Sequence, residues 1–134
     1  MGNVTPLYAT VGSNQLDAAM AFYDGLLAML GWGKIFDNPT GGCFYGHPQT
    51  GMFAVLTPYD ERSACVGNGG MVGFALADNA AVDDFHAKAI ELGGSNEGDP
   101  GFRGPEEMGA YFAYVRYLDG NKLCAYHWVL PTTP

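Results

Sequence analysis

The sequence predicts an α+β fold in which one small module occurs twice. A strand, a helix with an apolar stripe and a pair of strands follow one another in the first half of the chain, and the same order returns in the second half. The two helical segments also share a pattern, FYDGLLAMLG in the first and FHAKAIELG in the second. One helix and a few strands are too small to bury a sheet alone, so we expect the two modules to pack together.

The first module begins with a predicted strand over residues 7–11. Asn14 is the expected N-cap of the helix that follows, and Gly31 is its expected end. Two further strands are predicted over residues 42–45 and 52–56, on either side of a short turn. The helix is predicted from apolar residues at helical spacing, namely Leu16, Met20, Tyr23, Leu27 and Leu30.

The second module begins with a predicted strand over residues 71–76. Asp78 and Asn79 can cap its helix, which Gly93 is expected to end. The apolar stripe of this helix consists of Val82, Phe85, Ala89 and Leu92.

A hairpin is predicted to close the second module. Residues 95–109 are rich in Gly, Pro and Glu and are expected to form a loop. Strands are predicted over residues 111–116 and 122–128, joined by the Asp119-Gly120 turn.

The length of 134 residues predicts a single domain over residues 1–134. Module one is expected at about residues 4–58, a linker at 59–69 and module two at about 70–130. Apolar residues form 48% of the chain and charged residues only 15%, which is enough apolar material for a core and argues against disorder.

The charge of the chain restricts its partners. The formal net charge is −8, with only six basic residues and no basic run, so neither nucleic acid nor an anionic membrane surface is an expected partner. The N-terminal segment lacks a signal-peptide pattern, and no apolar stretch is long enough to span a membrane. Three widely spaced cysteines form no disulfide framework or zinc motif, so a reducing cytoplasm is the expected location.

Three segments in order resemble the vicinal oxygen chelate superfamily, the group of glyoxalase, bleomycin-resistance and extradiol-dioxygenase proteins. They are YATVGSNQLDAAMAFYDGLLAMLGW, GNGGMVGFALADNAAVDDFHAKAIELGG and YFAYVRYLDGNKLCAYHW, which together extend over nearly the whole chain. The resemblance implies paired βαβββ modules that form a cupped, eight-stranded mixed sheet with the helices outside. It also implies a homodimer.

The resemblance places Tyr8, Met71 and Cys124 where family members hold a divalent metal with His and Glu. The fourth ligand would come from residues 52–56, which contain no His, Asp, Glu or Cys. Divalent ions of this kind prefer imidazole and carboxylate ligands. We therefore expect no metal site, and we predict no other cofactor.

Cys124 has two further interpretations. It can be a small apolar residue that lines the cup, since free cysteine is often buried. It can also be a reactive thiol, for which Lys122 on the same strand face is the neighbouring cation. A dyad with His127 is not expected, because strand alternation places the two side chains on opposite faces. Catalytic residues are unknown, with Tyr8, Cys124 and Tyr126 as weak candidates.

The predicted ligand-binding residues are four that form a largely apolar wall with a few hydroxyls, and two arginines. Tyr8, Met71, Cys124 and Tyr126 are expected to line one cavity suited to a small aromatic or planar ligand; alternatively they close the cup and leave no space. Arg103 and Arg116 can hold an anionic ligand, or each can pair with one of the 14 acidic residues.

Three functions are compatible with this sequence. The first is binding of a small organic molecule without a metal, in the manner of drug-binding resistance proteins. The alternative is a glyoxalase-like lyase or isomerase, or a dioxygenase, with a rearranged site. The third is an interaction module without a ligand. Of the histidines, His47 and His86 are expected to have structural roles, while His127 can be structural or functional.

Overall fold

A computed structural model describes residues 6–130 of the chain, which form two compact units that divide between Gly67 and Asn68. Each unit contains one long helix and a four-stranded mixed sheet in the order βαβββ. The predicted α+β class is therefore confirmed. Closure of the strands into one eight-stranded cup and the single domain remain predictions, and the expected start of module one near residue 4 lies outside the described residues.

The first unit is a sheet with strand order β1-β4-β3-β2 and one helix, α1. Strand β1 is parallel to β4, and the other neighbours are antiparallel. The helix packs on one face of the sheet, where the rings of Tyr23 and Phe53 are 4.9 Å apart. Its elements are β1 (Tyr8–Gly12), α1 (Leu16–Ala28), β2 (Lys34–Asp37), β3 (Gly42–His47) and β4 (Gly51–Leu56).

The second unit repeats this topology, with strand order β5-β8-β7-β6 and β5 parallel to β8. Its helix α2 packs on one face, where Phe74 and Phe85 are in ring contact at 5.7 Å. Its elements are β5 (Val72–Ala75), α2 (Asn79–Glu91), β6 (Ser95–Phe102), a short 3-10 helix (Glu106–Met108), β7 (Tyr111–Arg116) and β8 (Lys122–His127).

The predicted cap of α2 is confirmed, and that of α1 is wrong. The Asp78 carboxylate accepts a 2.8 Å hydrogen bond from the backbone N–H of Ala81. In α1 the N-cap position is occupied by Gln15, whose side chain makes no cap bond. The Asn14 side chain instead accepts from the N–H of Ala64 at 2.7 Å and donates to its carbonyl at 2.9 Å. Asn14 thus fixes a distant loop, and the N-cap position falls on Gln15.

The predicted loop over residues 95–109 is also wrong in its first half. Residues Ser95–Phe102 form the edge strand β6, which pairs with β7 through two register shifts. Glycine and proline weaken the sequence signal of a strand, but an edge strand tolerates them because one side of it makes no ladder bonds. The short edge strand β2 lies at the matching position of the first unit.

Two glycines are required by the backbone. The predicted β7–β8 hairpin is present, and Gly120 in its turn has a φ of 88°, which favours glycine. Gly42 begins β3 with a φ of 95°, and a Cβ there would overlap the carbonyl oxygen of Val55 on β4.

The described part of the chain has no helix that is both long and apolar enough to cross a membrane.

Candidate functional site

Strand alternation separates the side chains of the second sheet into two sets. Ala113 and Val115 on β7 are buried on the face that α2 covers. The opposite face, here the helix-free face, carries the intervening residues of β7 and β8. Cross-strand pairing places them in three neighbouring pairs on this face, Phe112 with Tyr126, Tyr114 with Cys124, and Arg116 with Lys122.

The rings on the helix-free face form an aromatic row, which consists of Phe112, Tyr114 and Tyr126. Phe112 and Tyr126 are stacked, with ring centroids 5.2 Å apart and planes 13° apart. Phe112 also stacks on Tyr114 at 6.2 Å. The Trp128 ring meets Phe112 edge-on at 6.0 Å. All three rings of the row are half-buried, so one side of each is partly open to a ligand.

Two cations lie against Tyr114. The Arg103 guanidinium carbon is 5.4 Å from the centroid of the Tyr114 ring, and the Lys122 ammonium nitrogen is 5.0 Å from it. Both distances are within the range of cation–π attraction. Gly98 on β6 makes room for this arrangement, because a Cβ there would lie 2.7 Å from the Tyr114 ring and 3.3 Å from a guanidinium nitrogen of Arg103.

Cys124 is buried beneath this face, with 1% of its surface exposed. Burial raises the pKa of its thiol to about 11, although Arg103 and Lys122 act in the opposite direction. The thiol is therefore protonated near neutral pH, which favours the interpretation of Cys124 as a small packing residue over that of a nucleophile. Gly73 on β5 leaves a gap beside it, since a Cβ there would lie 3.5 Å from the Tyr126 ring and 3.8 Å from the Cys124 Cβ.

The remaining predicted residues have different surroundings. Met71 is 48% exposed and directly precedes β5. Arg116 donates to the Glu97 carboxylate at 2.8 Å and to the carbonyl of Gly120 at 2.7 Å, so the predicted alternative of an ion pair is present.

The three histidines make local contacts. A ring nitrogen of His86 is 3.0 Å from the Asn96 side-chain oxygen, and Nδ1 of His47 accepts a bond from the N–H of Gln49. The Nδ1 of His127 is 3.0 Å from the carbonyl of Leu76. His127 pairs across β7–β8 with Tyr111, whose hydroxyl bonds to Asp83 on α2. These contacts agree with structural roles for the histidines.

The first unit contains a pocket of about 600 Å³ on its helix-free face. Its aromatic wall is formed by Tyr8, whose ring is 5.6 Å from that of Phe44. Phe36 stacks on the Phe44 ring, with the two ring centroids 4.4 Å apart. Most other lining groups are hydroxyl, amide or aliphatic, and they include Thr10, Asn38, Thr40, Leu56, Thr57, Ser63 and the carboxylate of Asp60.

The residues that the resemblance assigns to the family metal positions do not fit a divalent ion. Tyr8 lies on the first unit, whereas Met71 and Cys124 lie on the second, and their donors are a phenol, a thioether and a protonated thiol. Across residues 6–130, no group of three or more His, Cys, Asp or Glu side chains is arranged to hold a metal. That Tyr8, Met71, Cys124 and Tyr126 line one cavity remains a prediction.

Sequence reasoning did not single out Phe112, Tyr114, Thr10 or Asn38 as site residues. Strand parity contains the signal for the first two, because they share the face of Cys124 and Tyr126 once β7 is paired with β8. Thr10 likewise shares the face of Tyr8 on β1. Asn38 follows β2, a strand that the sequence pattern did not predict, so its place in the pocket had no comparable signal.

Comparison with known proteins identifies relatives among solved structures. No family model and no curated protein matches the chain significantly. The lactoylglutathione lyase from Agrobacterium tumefaciens is 22% identical with a TM-score of 0.69, over 95% of this chain and 96% of that chain. A glyoxalase/bleomycin resistance protein/dioxygenase family enzyme from Burkholderia phytofirmans is 16% identical with a TM-score of 0.70, over 91% and 97%. These two likenesses show the fold.

A third structure is much more similar in sequence. A glyoxalase/bleomycin resistance protein from Albidiferax ferrireducens is 40% identical to this chain, with a TM-score of 0.78. The match covers 91% of this chain and 97% of that chain. Identity at this level over nearly the full length of both proteins extends the likeness from fold to family. The chain belongs to the glyoxalase/bleomycin resistance protein family of the vicinal oxygen chelate superfamily.

Proposed function

We propose that this protein binds a small organic molecule on the helix-free faces of its sheets, without a metal or another cofactor. The observation that carries the proposal is the set of aromatic rings on these helix-free faces. The resemblance places Tyr8 and Cys124 on these faces, and Met71 just before β5, at positions where family members carry metal ligands. The pocket of about 600 Å³ beside Tyr8 supports the proposal, because small-molecule sites are typically concave, largely apolar and of about 300–1,000 Å³. Tyr126 and Arg103 belong to the proposed ligand-binding set, and so does Arg116, which would have to share its guanidinium with Glu97.

The enzymatic alternative, a glyoxalase-like lyase or isomerase or a dioxygenase, needs an acid or base from Tyr8, Cys124 or Tyr126. The raised pKa of Cys124 makes it a poor base near neutral pH. This counts against Cys124 as the base and leaves Tyr8 and Tyr126 as the candidates of the alternative.

The proposal includes a homodimer in a reducing cytoplasm. All three cysteines are free thiols and Cys65 is exposed, which suits a reducing compartment. Large apolar side chains are exposed on both units, including Phe36, Met71 and Trp128, and a second copy of the chain is the partner that would cover them. Sedimentation of the purified chain tests the dimer.

Thermal unfolding of chelator-treated protein tests the binding proposal. Zn, Ni, Mn and Fe(II) are compared with a panel of small aromatic compounds, both neutral and charged. A ligand that binds only the folded state raises the unfolding free energy by about 2.7 kcal/mol at a concentration of 100 times Kd. We expect stabilisation by members of the organic panel and none by the metals. Stoichiometric stabilisation by a metal, or no response to any organic compound, would refute the proposal.

A matched pair of variants locates the ligand. Thr10→Phe places a ring in the pocket of the first unit, whereas Thr50→Phe makes the same change in the exposed turn between β3 and β4. A ligand seated beside Tyr8 loses affinity only in Thr10→Phe. A ligand that binds both variants as it binds the unmodified protein does not occupy this pocket, which leaves the aromatic row of the second unit as its proposed site.

A further inference from the structure

Only some of the basic residues in the described part of this protein form ion pairs. The chain has six basic residues against 14 acidic ones, and all six lie in the described part. Three of them form ion pairs, Lys34 with Asp24, Lys88 with Glu91 and Arg116 with Glu97. Among the described residues, Arg62, Arg103 and Lys122 have no carboxylate within ion-pair distance. Arg62 is exposed, but Arg103 and Lys122 are half-buried, and both lie against the Tyr114 ring.

Arg103 is held in place by the backbone rather than by an acid. Its guanidinium donates to the carbonyl of Gly101 at 2.9 Å and to the carbonyl of Asp99 at 2.8 Å. These two bonds use two of the five N–H donors of the guanidinium, and three remain for another acceptor. Because the group is already oriented, an anion that binds it need not immobilise a flexible side chain.

The charges that act on Cys124 support an anion at this part of the face. Arg103 and Lys122 are the charged groups that act on its thiol, and both favour a negative charge there. In a chain of net charge −8, an anion is held only where local cations outweigh the remaining acids. At this corner Arg103 and Lys122 are the two charges that act on Cys124, and the aromatic row lies directly beside them.

We propose that the ligand of this protein is a small planar aromatic carboxylate, whose carboxylate binds Arg103 and Lys122 while its ring packs on Phe112 and Tyr126. The inference rests on the proposed function and adds the charge and shape of the ligand. The ligand provides the carboxylate that neither cation has as an ion-pair partner among the described residues, and its charge-assisted hydrogen bonds are stronger than neutral ones. The stacked rings provide a flat apolar surface for the ring of the ligand.

The test compares two nearly isosteric probes on the full-length protein. 2-Naphthoate carries the carboxylate, and 2-naphthamide is its neutral counterpart. Titration calorimetry gives Kd, and backbone amide shifts in NMR spectra locate each probe. We expect 2-naphthoate to bind about tenfold or more tightly than the amide, since hydrogen bonds between charged groups are worth about this factor. Its binding should weaken as salt is raised, and its shifts should concentrate on β7 and β8.

Charge-removing variants identify the cations. Lys122→Met and Arg103→Gln should each weaken 2-naphthoate binding about tenfold and leave 2-naphthamide binding unchanged. Lys88→Met removes the same charge from α2 and serves as the control, with a change below about twofold expected. Lys122→Met leaves the Arg103 backbone bonds intact, so it remains informative if Arg103→Gln is destabilised.

The possible outcomes separate this inference from the proposed function. The inference that the ligand is a carboxylate is overturned if the two probes bind with equal affinity. It is also overturned if Lys122→Met and Lys88→Met lose equal affinity for 2-naphthoate. Either result leaves metal-free ligand binding in place. Absence of 2-naphthoate binding also overturns the carboxylate inference. The proposed function itself then depends on the wider panel of organic compounds, and it fails only if none of them binds.

Discussion

The hydroxyl of Tyr45 donates a 2.7 Å hydrogen bond to the Asp24 carboxylate and so connects β3 to α1 in the first unit. Tyr45 is 1% exposed, and burial is the main cause that raises the pKa of its hydroxyl. Lys34 approaches the other oxygen of Asp24 at 3.6 Å from the start of β2. A sheet, its helix and its edge strand therefore meet at one carboxylate.

Replacing Tyr45 by Phe removes this bond and keeps the ring. We expect a loss of about 1 kcal/mol in the free energy of unfolding, because Asp24 is partly exposed and can be solvated after the change. Tyr59→Phe is the control, since Tyr59 is fully exposed and should show no change. Urea unfolding of the two variants and the unmodified protein measures the difference. Equal stability of Tyr45→Phe and the unmodified protein would show that the bond contributes nothing net.

The cap of α2 gives a second prediction about stability. Asp78→Ala removes the bond to the N–H of Ala81 and should lower the free energy of unfolding by about 1 kcal/mol. Asp84→Ala changes the same residue type on the exposed side of the same helix and should have an effect within about 0.5 kcal/mol. Chemical unfolding followed by circular dichroism compares the two. A loss of the same size in both variants would contradict a specific capping role.

The two helix caps show where sequence reasoning succeeds. The signal at Asp78 is local, because a carboxylate at the N-cap reaches an N–H three residues along the chain. Asn14 presents a similar local signal, but its amide bonds to Ala64, 50 residues away. A tertiary contact of this kind overrides the local preference and cannot be read from residues 13–17. Capping could therefore be predicted only where no distant partner competes.

The strands show the same limit of prediction from local sequence. The interior strands β4, β7 and β8 follow apolar patterns and were predicted within two residues at each end. The edge strand β6 was not, because its sequence SNEGDPGF has no apolar alternation and is stabilised by pairing with β7 on one side. In the candidate site, the alternation of side chains along a strand was enough to predict that Cys124 and Tyr126 share one face. The position of Arg103 against Tyr114 depends on the irregular β6 and could not be predicted.

The thiol of Cys124 should resist alkylation. Its pKa of about 11 lies above the ordinary value of 9.0, so the thiolate forms only as pH approaches 11. Near pH 8, about one thiol in a thousand is then ionised, and burial further limits access. Burial also raises the pKa of Cys43. We therefore expect iodoacetamide to label one cysteine per native chain, the exposed Cys65, as counted by mass spectrometry.

Two controls make the labelling decisive. Protein in denaturant should take up three labels, which shows that all the thiols are reduced and able to react. Native Cys65→Ser protein should take up none at the same pH. Rapid labelling of Cys124 in that variant would restore the interpretation of Cys124 as a reactive thiol and with it the enzymatic alternative.

Gly73 should affect ligand binding without weakening the fold. The nearest contacts of an added Cβ are 3.5 Å or longer, which is ordinary van der Waals distance, so alanine fits at this position. We expect Gly73→Ala to raise the free energy of unfolding by about 0.5 kcal/mol through loss of freedom in the unfolded chain. The methyl group also fills the gap between Cys124 and Tyr126. It should therefore weaken 2-naphthoate binding about fivefold or more, since one methyl group in an apolar site changes binding by about 1–3 kcal/mol.

Gly67→Ala separates the two effects. No heavy atom lies within 4 Å of a Cβ at Gly67, so this variant has the same consequence for the unfolded chain and no contact with the helix-free face of the second sheet. Denaturant unfolding should give similar stabilities for the two alanine variants, whereas calorimetry should show weaker binding in Gly73→Ala alone. If Gly73→Ala binds 2-naphthoate as tightly as Gly67→Ala does, the ligand does not occupy the gap beside Cys124, and the site must lie farther along the aromatic row, toward Tyr114.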